Sequence, residues 1–239
     1  SQAFEIQPLT LEEYLDFKDV SLVRRDAQLL DRYFRDYVRD GGLPEHVLHP
    51  GRDYLMNLVD DIIQKDITAL HGLKDHQVVR DYFTLLMERS GKQVSINKLA
   101  NILSLSPDTS RRYLGYFENA YLIHPVSRWG KTNERILSPK KIYACDLGIK
   151  HLFIGDRDWG SYFENYIYLR LRQHQRVHYV RHGEQELDFL TEDKTLIEAK
   201  YNGELVGAQL KAFNEFPATR KQVIGSVRDT QRINELWET

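Results

Sequence analysis

The chain has 239 residues, of which 41% are hydrophobic and 28% charged, with a formal net charge of −2; that is the make-up of a folded soluble protein and excludes a disordered or fibrous one. No apolar run approaches the roughly 18 to 20 residues that span a bilayer, and the chain opens with neither a basic stretch nor a cleavable apolar one, so a cytoplasmic protein without a membrane partner is expected. The single cysteine, Cys145, excludes an internal disulfide and a cysteine-based zinc site.

Charge is segregated along the chain. Residues 1–76 hold 9 Lys+Arg against 15 Asp+Glu, residues 77–150 hold 12 against 6, and residues 151–239 hold 12 against 14. A basic middle between acidic or near-neutral flanks suits a surface that meets a polyanion, although a merely solvated basic face has the same signature. These three stretches are taken as a helical segment, a winged helix-turn-helix and an α/β domain.

The first stretch reads as helix. LTLEEYLDF carries Leu11, Tyr14 and Leu15 at helical spacing with Thr10 as N-cap, and Gly41-Gly42-Leu43-Pro44 breaks the pattern. RDYLMNLVDDIIQKDITAL then reads as one helix with Leu55, Leu58, Ile62 and Ile63 on a broad apolar face; its aspartates Asp60, Asp61 and Asp66 are assigned no chemistry.

From residue 77 three short helices follow. VVRDYFTLLMERS is the first, Ser95 caps INKLANILS, and Ser106 with Pro107 opens PDTSRRYLGYFENA. The tight joint at Leu105-Ser106 is that of a helix-turn-helix. Leu114, Phe117 and Tyr121 are expected to face inward, which leaves Thr109, Arg111 and Arg112 toward a DNA groove. Two extended runs joined by Gly130-Lys131-Thr132-Asn133 then resemble a wing, with Lys131, Arg135, Lys140 and Lys141 placed to meet phosphates. A winged helix used only for protein contacts fits the same residues.

The last stretch runs helix (SYFENYIYLRLRQH), three strands (RVHYVRH, LDFLT, TLIEAK), helix (AQLKAFNEF), strand (KQVIGSV). With Asp193 at the centre of the TEDKT turn, a symmetric hairpin pairs 190 with 196 and 188 with 198. Leu187, Phe189, Ile197 and Ala199 then share one face, and Asp188, Glu198 and Lys200 the other. Two carboxylates directly opposite one another repel unless one is protonated or a cation lies between them. A hard divalent ion, Mg²⁺ or Mn²⁺, would resolve the repulsion, and Lys200 beside it would orient or help deprotonate an attacking water. Glu164 on the preceding helix, flanked by Tyr162, Phe163, Ile167 and Tyr168, is costly to bury alone and is expected as a further ligand. His174, His178 and His182 recur every fourth residue but straddle a helix-strand junction, and His46 and His49 flank a loop; neither set is read as zinc-binding.

The order Glu164, Asp188, Glu198-Ala199-Lys200 resembles the PD-(D/E)XK nuclease superfamily, with Leu187 where the literal motif has proline. Gln209-Leu210-Lys211-Ala212-Phe213 is similar to the Q-x-x-x-Y element of RecB-like members, with phenylalanine for tyrosine. FEIQPLTLEEYLDF, GGLPE, DIIQKDI, KIYACDLGIK, YFENYIYLRL and LDF…LIEAK stand in the order found in prokaryotic, archaeal-type AAA+ ATPases with a nuclease-like C-terminal domain. The resemblance implies a restriction-endonuclease-like αβββαβ domain, catalytic residues Asp188, Glu198, Lys200, Glu164 and Gln209, and metal ligands Asp188, Glu198 and Glu164. It further implies a DNA partner and an ATPase core outside this chain. Ser90-Gly91-Lys92-Gln93 is no phosphate loop, so no ATP site is expected here. A catalytically inactive module for DNA binding, protein binding or self-association is the competing reading.

Overall fold

The computed structural model describes residues 5–20 and 27–237; Phe4, the first residue of the FEIQPLTLEEYLDF stretch, lies outside them. The chain is a mixed helix-and-sheet protein. Helix α1 (Leu11–Phe17) begins as its sequence dictates: Thr10 Oγ1 accepts the Glu13 amide at 3.2 Å, and Glu13 Oε2 accepts the Thr10 amide at 2.7 Å. Helix α2 (Ala27–Asp40) stops at Gly41, whose φ of 76° favours glycine. The following amide, Gly42 N–H, donates to Asp146 Oδ2 at 2.7 Å, and a Cβ on Gly148 would lie 2.7 Å from the Asp40 carbonyl oxygen. The GGLPE and ACDLGIK motifs are therefore two halves of one backbone joint.

Helices α3 (Pro44–Leu48) and α4 (Arg52–Asp61) follow. The single helix expected through residue 70 instead widens into a π-helix at Ile62–Ala69. Val59, Ile63 and Ile67 are all buried, at every fourth position. That spacing also falls within one apolar face of an α-helix, so the burial pattern alone does not announce the wider turn. Thr68 Oγ1 fastens the turn by donating to the Ile63 carbonyl at 2.7 Å. Leu58 and Ile62 are only half-buried.

The middle stretch comprises α5 (His76–Glu88), β1 (Gln93–Val94), α6 (Ile96–Ile102), α7 (Pro107–Asn119), β2 (Ile123–Val126), α8 (Thr132–Leu137) and β3 (Lys140–Ala144). Ser95 and Ser106 cap α6 and α7 by accepting the Lys98 and Thr109 amides at 3.3 and 3.1 Å. The strands form an antiparallel sheet in the order β1-β3-β2. Two expectations are corrected. Tyr121 sits at φ 57° and is exposed, while Tyr113 takes the inward place beside Phe117. The expected wing loop is instead the short helix α8, and its approach is pinned to the next sheet: Trp129 N–H donates to the Tyr179 carbonyl at 2.7 Å and Tyr179 N–H to the Ser127 carbonyl at 3.2 Å.

Helix α9 (Leu147–Ile154) crosses the boundary expected at residue 150. Then come α10 (Trp159–Leu171), β4 (Val177–His182), β5 (Gln185–Thr191), β6 (Thr195–Ala199), α11 (Gly207–Glu215), β7 (Arg220–Ile224), a 3₁₀ turn (Arg228–Thr230) and α12 (Gln231–Glu235). The sheet order is β4-β5-β6-β7, antiparallel except for the β6–β7 pair, whose parallel crossover is α11. A core running from Leu11 through Phe83 and Phe163 to Ile197 joins all three stretches, and a second core lies under α11. Asn165 locks α10 to β3: its Oδ1 accepts Ser90 Oγ–H at 2.6 Å and Ala144 N–H at 2.9 Å, and its Nδ2 donates to the Ala144 carbonyl at 3.0 Å.

Candidate active site

The β5–β6 hairpin has the register read from its alternation, with Phe189 opposite Ile197 and Leu190 opposite Leu196. Beyond Phe189 the backbone ladder gives way to side chains. Asp188 N–H donates to Glu198 Oε2 at 3.0 Å, and Ala199 N–H donates to Asp188 Oδ2 at 3.0 Å. Each carboxylate thus closes the other strand's backbone where the strands part. The face carrying them is not the polar one expected. Leu190 and Leu196, of the same parity, pack with Phe213 in the second core, and Leu187 joins them there instead of Phe189, next to an irregularity in the β4 pairing between His178 and Val180. Both faces of the sheet are covered, and so the Glu198 side chain has no exposure at all.

Burial first, and then Asp188, push the Glu198 carboxyl up to about 8. Gln209 Nε2 donates to Glu198 Oε1, and Lys200 Nζ stands 3.6 Å from the same oxygen with about a quarter of its side chain exposed. The structure therefore brings Asp188, Glu198, Lys200 and Gln209 together at the end of the antiparallel β5–β6 ladder that lies away from the Asp193 turn.

Glu164 reaches the same place from α10, through a partner that the sequence reading placed elsewhere. Lys141, expected to meet phosphates, is buried; its Nζ lies 2.7 Å from Glu164 Oε1, 2.8 Å from Glu186 Oε1 and 3.4 Å from Asp188 Oδ1. Tyr143 O–H also donates to Glu164 Oε1 at 2.7 Å. The burial cost of Glu164 is met by a lysine and a tyrosine of β3. Burial lowers the Lys141 pKa, but Glu164, Tyr143, Asp188 and Glu186 outweigh it and hold the ammonium well above its ordinary value. Burial and Asp188 raise Glu164. The signal in the sequence was the alternation of KKIYACD, which sets Lys141 and Tyr143 on one face of a strand.

A divalent ion prefers hard oxygen atoms, and the carboxylates of Glu164, Asp188 and Glu198 are of that kind. Their arrangement nevertheless does not fit one as folded. Every oxygen of Asp188 and Glu198 already faces a proton donor of the chain, and an ammonium occupies the space between Glu164 and Asp188. Among the described residues no group of three or more His, Cys, Asp or Glu is arranged to hold a metal ion.

A second buried lysine escaped the sequence reading. Lys150 of α9 donates to the Ser161 carbonyl at 2.9 Å and contacts Ser161 Oγ at 3.0 Å, and burial depresses it to about 7.

The residues assigned to DNA divide. Arg111 and Arg112 are exposed on α7, Arg111 being paired with Asp108 at 2.8 Å. Thr109 is half-buried, and its hydroxyl is engaged with Ser106 Oγ at 2.9 Å, so it serves the helix cap. Lys131 is exposed, and Arg135 lines a cleft of about 380 Å³ with Arg172, Arg176 and His178. Lys140 turns back to Ser127 Oγ and the Arg135 carbonyl, each at 2.8 Å, and is withdrawn from any phosphate. The histidines do not converge: His174 stacks on Trp237, His178 meets Trp129 edge-on and His182 meets Phe216. His46 stacks on Tyr54, and His49 is exposed.

No helix among the described residues is long and apolar enough to cross a membrane. The chain is 28% identical over 218 residues to an uncharacterized protein of Methanocaldococcus jannaschii, covering 82% of this chain and 49% of that protein. It is 25% identical over 198 residues to an uncharacterized protein of Haemophilus influenzae, covering 78% of this chain and 49% of that protein. The chain spans about half the length of these curated relatives. No solved structure matches it. Residues 31–159, from α2 to the start of α10 and including Lys141 of the acidic cluster, match the family described as a domain of unknown function, DUF8612; this match takes in more than half of the chain, which therefore belongs to that family.

Proposed function

We propose that this chain is a nucleic-acid-binding, nuclease-like region whose acidic centre is built to hydrolyse phosphodiesters. One observation carries the reading: Asp188 and Glu198 close on each other across parted strands, with Lys200 and Gln209 directed at Glu198. The helix, three strands, helix, strand order and the parallel β6–β7 pair support a restriction-endonuclease-like domain, and α5–α7 with the β1-β3-β2 sheet support a winged helix. In this reading Gln209 orients the Glu198 carboxyl. The partly exposed Lys200 ammonium holds a scissile phosphate or its attacking water by charge. Arg111, Arg112, Lys131 and Arg135 contribute phosphate contacts that give affinity without sequence choice. Magnesium or manganese would supply Lewis acidity and a deprotonated water if bound. An AAA+ ATPase core as partner rests on the family resemblance, and the twofold length of the relatives leaves room for one.

A second reading, a nuclease-fold module that binds DNA without cutting it, is favoured by one observation, the Lys141 ammonium among the carboxylates. The test is cleavage of linear and supercoiled DNA at millimolar Mg²⁺ or Mn²⁺ by the wild-type chain and by Asp188→Ala. Metal-dependent cleavage lost in the variant supports hydrolysis. DNA binding with no cleavage at any metal concentration, in the wild type and also once Lys141 has been replaced, supports the second reading.

A further inference from the structure

We propose that Lys141 is the resident cation of the acidic centre, and that a divalent ion enters only as the Lys141 ammonium withdraws from Glu164 and Asp188. The inference rests on the nuclease-like reading of that centre and adds a residue from outside the nuclease-like stretch. Lys141 belongs to the central strand of the β1-β3-β2 sheet, paired with Gln93 on one side and Val126 on the other. The strand cannot retreat easily, because Ala144 is bonded to Asn165 through both its amide and its carbonyl. Any withdrawal must come from the flexible four-carbon stem of the side chain.

The geometry supplies a place for the ammonium to go. Glu186, at 2.8 Å, is a third of the way exposed and lies toward solvent, where Gln93 Nε2 already donates to its Oε2 at 2.5 Å. A shift onto Glu186 alone keeps the lysine paired, frees Asp188 Oδ1 and leaves Glu164 Oε1 with the Tyr143 hydroxyl as its remaining donor. The exchange is one of charge for charge: a cation leaves the space between two carboxylates as another enters it. A buried ammonium left without a partner would be far costlier, which is why Glu186 is required. Metal loading of the centre and the seating of β3 against β5 are thereby coupled, through one side chain.

The experiment is Mn²⁺ binding, followed by electron paramagnetic resonance of free Mn²⁺ and by calorimetry, on wild-type chain, Lys141→Met, Lys141→Gln and the double variant Lys141→Met/Asp188→Asn. Lys141→Met or Lys141→Gln is expected to bind one Mn²⁺ at least tenfold more tightly than wild type, and the Asp188→Asn change to abolish that gain. Equal, Asp188-dependent affinity in wild type and both Lys141 variants would overturn the proposal and leave the nuclease-like reading standing. Absence of Mn²⁺ binding in all of them would overturn both. Should neither Lys141 variant fold, lysine labelled with ¹³C at Cε in the wild-type chain decides: Mg²⁺ at saturation is expected to shift the Lys141 resonance, and an unmoved resonance would overturn the proposal.

Discussion

The Lys141 ammonium lies 2.7 Å from Glu164 Oε1 although the two residues belong to different stretches of the chain, one on β3 and the other on α10. Together with Glu186 and Asp188, this pair joins the basic middle of the sequence to its α/β end. Removing one member of a buried ion pair leaves the other uncompensated, at a cost of about 3 to 5 kcal/mol. Lys141→Met is therefore expected to lower stability by about that amount in urea unfolding, and Lys141→Met/Glu164→Gln to recover part of the loss. Additive losses in the double variant would show that the two are not coupled.

The backbone joint between the GGLPE and ACDLGIK motifs has no room for a side chain at Gly148, where a Cβ would lie 2.7 Å from both the Asp40 carbonyl oxygen and the Gly41 amide nitrogen. Overpacking against backbone costs about 1 to 3 kcal/mol. Gly148→Ala should lower the unfolding midpoint accordingly, while Gly72→Ala, where no atom crowds the added carbon, tests only backbone conformation at φ 60°.

Lys150 gives a pH dependence with a definite sign. Its folded value is about 7 against an ordinary 10.5, so between these values the unfolded chain binds a proton that the folded chain does not. Stability from this group rises with pH through that window and is diminished below about 7. Each unit of difference is worth about 1.4 kcal/mol, so the effect amounts to a few kcal/mol. Lys150→Met should flatten the stability profile between pH 7 and 9 relative to wild type; parallel profiles would show that Lys150 is charged within the fold.

Nucleic-acid binding by the exposed basic residues has a salt signature. Each phosphate contact released removes roughly 0.9 from the slope of log K against log salt on duplex DNA. Replacing Arg111, Arg112 and Lys131 together by alanine should weaken binding to all sequences alike and flatten the slope by about 2 to 3 units. Thr109→Ala should act through stability instead, because its hydroxyl is used at the helix cap. An unchanged slope in the triple variant would move the DNA contact elsewhere, with the Arg135, Arg172 and Arg176 cleft as the next place to probe.

Local rules were legible in the sequence where local chemistry decides the outcome. Thr10, Ser95 and Ser106 cap the helices that their neighbours announced, and the Asp193 turn fixed the register that sets Asp188 beside Glu198. What escaped was non-local. Lys141 looked like a surface cation because its carboxylates lie on α10 and β5, far along the chain, and the run KKIYACD says only that it shares a strand face with Tyr143. The wing failed as a free loop for the same reason, since Tyr179 of β4 supplies its hydrogen bonds. The carboxylate face was taken as polar because alternation identifies faces, not what covers them; Phe213 of α11 covers Leu190 and Leu196 beside Glu198. The π-helix at Ile62–Ala69 was not legible, because Val59, Ile63 and Ile67 recur every fourth residue just as one apolar face of an α-helix does.

The centre formed by Asp188, Glu198 and Lys200 is tested most directly by the rate of DNA cleavage at millimolar Mn²⁺ in wild type, Asp188→Ala and Lys200→Ala, each checked for folding by circular dichroism. Cleavage by the wild-type chain, abolished by Asp188→Ala and reduced at least a hundredfold by Lys200→Ala, is the predicted result. Equal cleavage by all three proteins would contradict a hydrolytic role for these side chains.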